Sequence, residues 1–345
     1  MVIRICVGTG GVGKTTVATA VALNLARQGR RTLVLTIDPA KRLRTLLGLE
    51  AGPGEHKVRL GGAPPDLWAA QLDVEYTLAQ AVRQYGDPGQ IDSVLEHPIF
   101  HVLISSLAGM EELMAIEYMD QAIRKGFEAI VVDTAPSRHA FEFLDKPEFF
   151  ADLVSFPLVK LVGRSYRIWA ASPLGRLGRR SLELYSRLED LIGAHVVSQV
   201  LDFYSLFRTI AEGYAERART TVERLRHAGE CGFIVVTIPS KAEQDSSFFR
   251  KELTKRRFPI EKVVVNRCWP SLPEPLEVHS DLEREALTWC RDVASTQQRL
   301  LSELENRLEG QGIAAVLLPE LASPPVGLDG VDRLAGELRN DDDEP

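Results

Sequence analysis

The residues of this chain best suited to chemistry sit near its start, in Gly8-Thr-Gly-Gly-Val-Gly-Lys-Thr15. The spacing is G-x-x-x-x-G-K-[ST]. Glycines let the backbone curl so that successive N–H groups point at one anion. Gly10, Gly11, Val12, Gly13 and Thr16 would supply such N–H groups, at the start of a helix whose dipole favours negative charge. Lys14 would reach the β- and γ-phosphates of a nucleotide, and the Thr15 hydroxyl would ligate Mg²⁺. The same stretch fits the dinucleotide pattern G-x-G-x-x-G. Lys14 and Thr15 decide against that reading, because a pyrophosphate turn needs neither. About 20 residues on, where a ribose-binding acid would stand, the sequence reads Arg27-Gln-Gly-Arg-Arg31.

Two acids complete the candidate machinery. Asp38 follows the apolar run Leu33–Ile37, and Asp133 follows Ala129–Val132. Ligands of α/β sheets bind at the carboxyl ends of strands. Nucleotide hydrolysis needs a group that orients water and an acid near the metal. Asp38 is the candidate for the first role and Asp133 for the second. The plainer alternative, a turn or helix-cap aspartate, loses ground beside a phosphate loop.

These residues need a sheet to hold them. Short β-branched runs at Val2–Val7, Thr32–Thr36, Leu67–Leu72, Ala129–Val132, Phe233–Ile238, Lys262–Val265 and Ala314–Leu317 read as buried strands. Helical periodicity lies between most of them, as in Thr15–Arg27. The expected fold is α/β, a doubly wound, mostly parallel sheet. Residues 1–147 and 230–338 form the expected nucleotide domain. Residues 148–229 show helical periodicity with interleaved basic residues, and are expected to form an α-helical insertion subdomain. The segments 51–65 and 270–280 read as loops, and 339–345 as a disordered acidic tail.

Composition narrows the partners. The 345 residues carry a formal net charge of −7, so nucleic acid is not an expected partner. The four cysteines form no C-x-x-C and read as reduced, mostly buried thiols. No leader pattern and no 18-residue apolar run appears, so a cytoplasmic location is expected.

The order Gly8–Thr16, Thr36-Ile-Asp-Pro-Ala40 and Asp133-Thr-Ala-Pro-Ser-Arg-His139 resembles the ArsA-type ATPases, which include anion pumps and the targeting factor for tail-anchored membrane proteins. Ala108-Gly-Met-Glu-Glu112 also looks like that family's segment ahead of the second switch. Val265-Asn266 and Leu318-Pro319 match its adenine-side positions. The resemblance implies a P-loop NTPase of the deviant Walker A type, binding ATP and Mg²⁺ and closing as an ATP-dependent homodimer, or as a heterodimer with a related ATPase. Asp38 would act in switch I, Asp133 in switch II, and Asn266 and Pro319 at the adenine. Residues 148–229 would meet a hydrophobic client or membrane protein, with the ATPase peripheral to the membrane.

Thr9 stands where that family carries its signature lysine. A threonine cannot stabilise charge on the transferred phosphoryl group. Turnover is therefore expected to be slow, or Lys41, Arg42 or Arg138 supplies the cation; Arg138 is the catalytic candidate, since arginine suits phosphate contacts. With no second cysteine near Cys268, zinc-linked dimerisation is not expected. The expected function is an ATP-hydrolysing conformational switch coupled to a protein client or membrane partner. The alternatives are an arsenite or anion-efflux ATPase subunit, a ParA/MinD-like ATPase, and a weakly hydrolysing ATP-gated module.

Overall fold

A computed structural model describes residues 1–38, 42–49, 52–58, 66–106, 110–135, 194–269, 279–323, 325 and 327–338. The chain divides into two compact units. The first takes Met1–Leu72, Ala122–Phe141 and Glu223–Pro345; the second takes Asp73–Gln121 and Glu142–Val222.

The first unit is built on an eight-stranded sheet: β1 (Val2–Val7), β2 (Thr32–Thr36), β3 (His56–Lys57), β4 (Leu67–Gln71), β5 (Ala129–Asp133), β6 (Cys231–Thr237), β7 (Ile260–Cys268) and β8 (Ala314–Pro319). Their spatial order is β3-β4-β2-β5-β1-β6-β7-β8. Every neighbouring pair is parallel except β3 with β4. The expected mostly parallel α/β sheet is therefore present. Strands β2, β5 and β6 are buried along their whole length, which is why they read as unbroken apolar runs rather than alternating ones. β3 is the exception to the sequence reading, which had 51–65 as loop. A two-residue antiparallel pairing leaves no periodicity to read.

Helix α1 (Lys14–Arg27) buries Val17, Ala18, Ala20, Val21 and Leu23 against the sheet. The short α2 (Arg42–Leu47) follows β2. The second unit holds α3 (Val74–Tyr85), α4 (Ile91–Leu95), α5 (Pro98–Ser106), most of α6 (Met110–Arg124) and most of α7 (Ala194–Leu225). Of the insertion expected at 148–229, the described residues begin at 194 and form α7 and the turn after it. There Arg217 stacks on the Tyr85 ring at 3.4 Å and faces Glu117 at 3.5 Å and Asp120 at 3.9 Å. Burial pushes the Glu117 carboxyl up. The first unit closes with α8 (Ala242–Lys255), α9 (Asp281–Glu309) and α10 (Gly327–Glu337). α10 lies on α1, where Asn24 Nδ2 donates to Ala335 O at 2.7 Å. Among the described residues no helix is long and apolar enough to cross a membrane.

Candidate nucleotide site

The phosphate loop joins β1 to α1, between strands that neighbour β1 on both sides. Two of its glycines are dictated by close approach. A Cβ at Gly8 would lie 2.2 Å from the Val236 carbonyl oxygen on β6. A Cβ at Gly13 would lie 2.3 Å from Asn266 Nδ2, and the backbone there has φ +91°, a conformation that favours glycine. Gly13 is also the N-cap of α1, so the first N–H groups of the helix open toward the loop.

Parallel register brings the second acid to this helix. Asp133 ends β5 opposite Thr36 of β2 and Cys6 of β1. Its Oδ2 accepts from Thr15 Oγ1 at 2.7 Å and from Thr36 Oγ1 at 3.0 Å. Its Oδ1 is buried and, among the described residues, has no hydrogen-bond partner. Burial pushes the Asp133 carboxyl up to about 6, against the two hydroxyls and Lys14, which lower it. A buried carboxylate oxygen without a donor, beside the Thr15 hydroxyl, fits a hydrated Mg²⁺. Thr15 would hold the ion directly, and Asp133 would hold its water.

Lys14 is buried, and its Nζ donates to the Thr9 carbonyl at 3.1 Å. Burial lowers its pKa, while Asp133 and Asp38 act the other way. Asp38 lies two residues past β2, is buried, and faces Arg42 of α2 at 3.8 Å. A cleft of about 630 Å³ runs over Lys14, Thr15, Thr16 and Asp38. The structure brings Gly11, Gly13, Lys14, Thr15, Thr16 and Asp38, all expected at the site, onto one cleft. Asp133 sits under it through Thr15.

Asn266, expected at an adenine, is buried and donates from Nδ2 to the Val12 carbonyl at 2.9 Å. It braces the phosphate loop in this structure. Pro319 ends β8, whereas the proline on the cleft wall is Pro325. Lys41 and Arg138 lie outside the described residues.

Two features escaped the sequence reading. Arg267 lines the cleft with a left-handed backbone, φ 61°, where β7 breaks register with β8 between Val265 and Cys268. Only the polar pair Asn266-Arg267 closing an apolar run hinted at it. The second is Asp245 of α8, which is buried and accepts from Thr9 Oγ1 at 2.9 Å and Thr237 Oγ1 at 3.0 Å. Nothing near it in sequence marks it as a partner of the loop.

All four cysteines are free, and all but Cys290 are buried. Burial pushes the Cys231 thiol up to about 12 and the Cys268 thiol up to about 11. Cys231 opens β6 and Cys268 closes the parallel β7, so they stand at opposite ends of two neighbouring strands.

The sequence profile of the family described as anion-transporting ATPase matches residues 1–340. The chain is 26% identical over 336 residues to a protein named ATPase GET3C from Arabidopsis thaliana, covering 91% of this chain and 76% of that one. It is 26% identical over 290 residues to ATPase ARSA1 of Chlamydomonas reinhardtii, covering 75% and 34%. It is 29% identical over 154 residues to the arsenical pump-driving ATPase of Acidiphilium multivorum, covering 43% of this chain and 26% of the relative. The chain thus spans only about a third or less of the last two.

Proposed function

The chain belongs to the anion-transporting ATPase family, and from that premise we propose that it is a Mg²⁺-dependent ATP switch. Its ATP hydrolysis would drive the handling of a protein client or membrane partner, from a cytoplasmic, membrane-peripheral location. The observation that carries the nucleotide chemistry is the Thr15–Asp133 contact of 2.7 Å beneath the phosphate loop.

Each side chain then has a task. Lys14 leaves the Thr9 carbonyl for the phosphates, a stronger, charge-assisted partner. The N–H groups from Gly10 to Thr16 hold the β-phosphate. Asp38 orients the attacking water, and Arg42 and Arg267 flank it with positive charge. Bound Mg²⁺ would neutralise charge on the β- and γ-phosphates. Closure of two copies, or of a related heterodimer, around the nucleotide would exclude water. The client role rests on the resemblance and on the helical expectation for 148–229.

A second reading, an ATP-gated module with little turnover, has one observation behind it. The Thr9 side chain is engaged by Asp245 and offers no cation to the phosphates. The arsenite reading is weaker, since Cys231 and Cys268 do not converge on one atom.

Phosphate release tests the proposal. Release is expected from wild type only with Mg²⁺, and is expected to be lost in Asp38→Asn and in Asp133→Asn. Release that survives both changes overturns the assignment. For the switch, Asp38→Asn should become more compact in solution scattering with ATP–Mg than with ADP–Mg; identical profiles would leave the gated module as the better reading.

A further inference from the structure

A second cavity in the first unit shares no lining residue with the nucleotide cleft. It measures about 210 Å³ and opens between the end of β7 and the second half of α9. Its two walls differ in chemistry.

One wall is apolar and firmly built. Cys268 and Trp269 come from the end of β7, and Leu317 from β8. The backbone of the first two is tied on both sides. Trp269 N–H donates to Gln297 Oε1 of α9 at 2.7 Å, and the Cys268 carbonyl accepts from Glu320 N–H at 2.8 Å. The Cys268 thiol donates to the Val265 carbonyl at 3.2 Å. Trp289 meets the Trp269 ring edge to face, centroids 6.0 Å apart. Leu301 of α9 adds a buried apolar side chain.

The other wall carries oxygen. Gln298, Ser302 and Glu305 follow one another on α9 at steps of four and three, so they share one face of the helix. Gln298 and Ser302 are exposed, and Glu305 is half-buried. Among the described residues Glu305 forms no ion pair and no hydrogen bond. Its charge is felt inside the cavity. Burial pushes the Cys268 thiol up to about 11, and Glu305 pushes it the same way. The thiol is neutral at pH 7, so a soft metal ion finds no thiolate here, and an anion meets an uncompensated carboxylate.

A small cation with N–H groups fits. A primary ammonium has three donors and no acceptor. The Glu305 carboxylate, the Ser302 hydroxyl and the Gln298 amide oxygen are three acceptors on one helix face. A short alkyl chain behind the nitrogen would lie on Trp269, Leu301 and Leu317, and the aromatic ring favours the positive charge. The cavity is smaller than the roughly 300 Å³ of the least drug-sized sites, which limits the ligand to a few carbons.

The cavity adjoins the nucleotide site through the backbone. Of three consecutive residues, Asn266 braces the phosphate loop, Arg267 lines the nucleotide cleft and Cys268 lines this cavity. Arg267 sits at the register break of β7 with φ 61°. An occupant packed on Trp269 holds that turn in place, and with it the guanidinium at the cleft.

We propose that this cavity is an effector site for a small primary alkylammonium ion, whose binding strengthens that of ATP. The coupling rests on the ATP reading above; the ammonium site does not.

The probe is n-butylammonium, with n-butanol as the control for charge and tetramethylammonium as the control for donors. Binding is read by saturation-transfer NMR on the nucleotide-free protein, at neutral pH and fixed ionic strength. Butylammonium should bind with a dissociation constant on the order of 1 mM. Both controls should bind at least about tenfold more weakly. Glu305→Gln should weaken butylammonium by about tenfold or more, with unchanged circular dichroism. ATP–Mg affinity is measured separately by calorimetry. It should rise about fivefold at saturating butylammonium in wild type and stay unchanged in Glu305→Gln, and ATP should tighten the ammonium by the same factor. No saturable binding, equal binding of butanol, binding untouched by Glu305→Gln, or an ATP affinity indifferent to the ammonium would each overturn the proposal. A protein that takes the ammonium but binds no ATP would overturn the nucleotide reading and the coupling with it, and leave the ammonium site standing.

Discussion

Thr9 Oγ1 donates to Asp245 Oδ2 at 2.9 Å, tying the first turn of the phosphate loop to α8. Thr237 at the end of β6 donates to the same oxygen at 3.0 Å. A buried carboxylate thus lies beside the position where related ATPases carry a lysine. In Thr9→Lys the new ammonium would pair with Asp245 rather than serve another chain's phosphates. Steady-state turnover of Thr9→Lys should stay within about threefold of wild type. The double variant with Asp245→Asn, which releases the ammonium, should exceed it. Equal rates in the two would show that Asp245 does not hold the lysine.

Asp133 makes stability depend on pH. Its folded pKa is raised to about 6 from 3.8, so the folded state binds the proton more tightly than the unfolded state. Stability from this group is therefore present below pH 4 and falls as pH rises from about 4 to 6. At neutral pH the ionised carboxylate costs about 3 kcal/mol. Asp133→Asn should be more stable than wild type at pH 8, with the gap shrinking at pH 5. Urea unfolding at the two pH values checks this. Mg–ATP should raise the melting temperature of wild type and not of the variant.

Asp38→Asn keeps the shape of the cleft and removes the base. Turnover should fall on the order of 100-fold or more, while ATP affinity changes little. A KM that rises with kcat unchanged would move Asp38 from water orientation to binding.

Arg267 holds a left-handed backbone at the cleft wall. Arg267→Gly relieves about 1 kcal/mol of backbone strain and removes the guanidinium. The variant should unfold at higher urea and bind ATP about tenfold more weakly. Arg267→Lys should restore most of the binding but not the stability gain. Equal affinity in all three would remove Arg267 from the nucleotide's contacts.

Gly13→Ala should be disabling. The added Cβ meets Asn266 Nδ2 at 2.3 Å, on a backbone that favours glycine. A loss of about 2–4 kcal/mol in stability is expected, with no measurable ATP binding. Asn266→Ala, which opens that contact, should recover part of the stability in the double variant. Urea unfolding of the single and double variants measures it.

The centre of the sheet was legible because β2, β5 and β6 are buried on both faces. Unbroken runs such as Ile130-Val-Val132 admit few other readings. The phosphate-loop motif and the two strand-end acids, Asp38 and Asp133, stood out in the sequence because the chemistry expected of them demands particular residue types at fixed spacing. Asp245 was not. Its partner Thr9 lies 236 residues away, and a buried aspartate on an amphipathic helix looks like any solvated one. Arg267 was hidden for another reason. A register break at the end of a strand turns it toward the cleft, and strand periodicity does not report where it fails. Pro325 was missed because residues beyond the last strand carry no pattern of their own.

The order of assembly follows from the place of β1 between β5 and β6. The phosphate loop leaves the ribosome before its supports, which follow in sequence: Asp133 behind Thr15, Val236 against Gly8, Asp245 on Thr9, Asn266 on Val12. Native pairing of β1 needs strands that begin at 129 and 231, so a growing chain carries an unsupported glycine loop until both have been made. Nucleotide affinity should therefore arise late and abruptly in a series of stalled nascent chains, once Asn266 has cleared the exit tunnel.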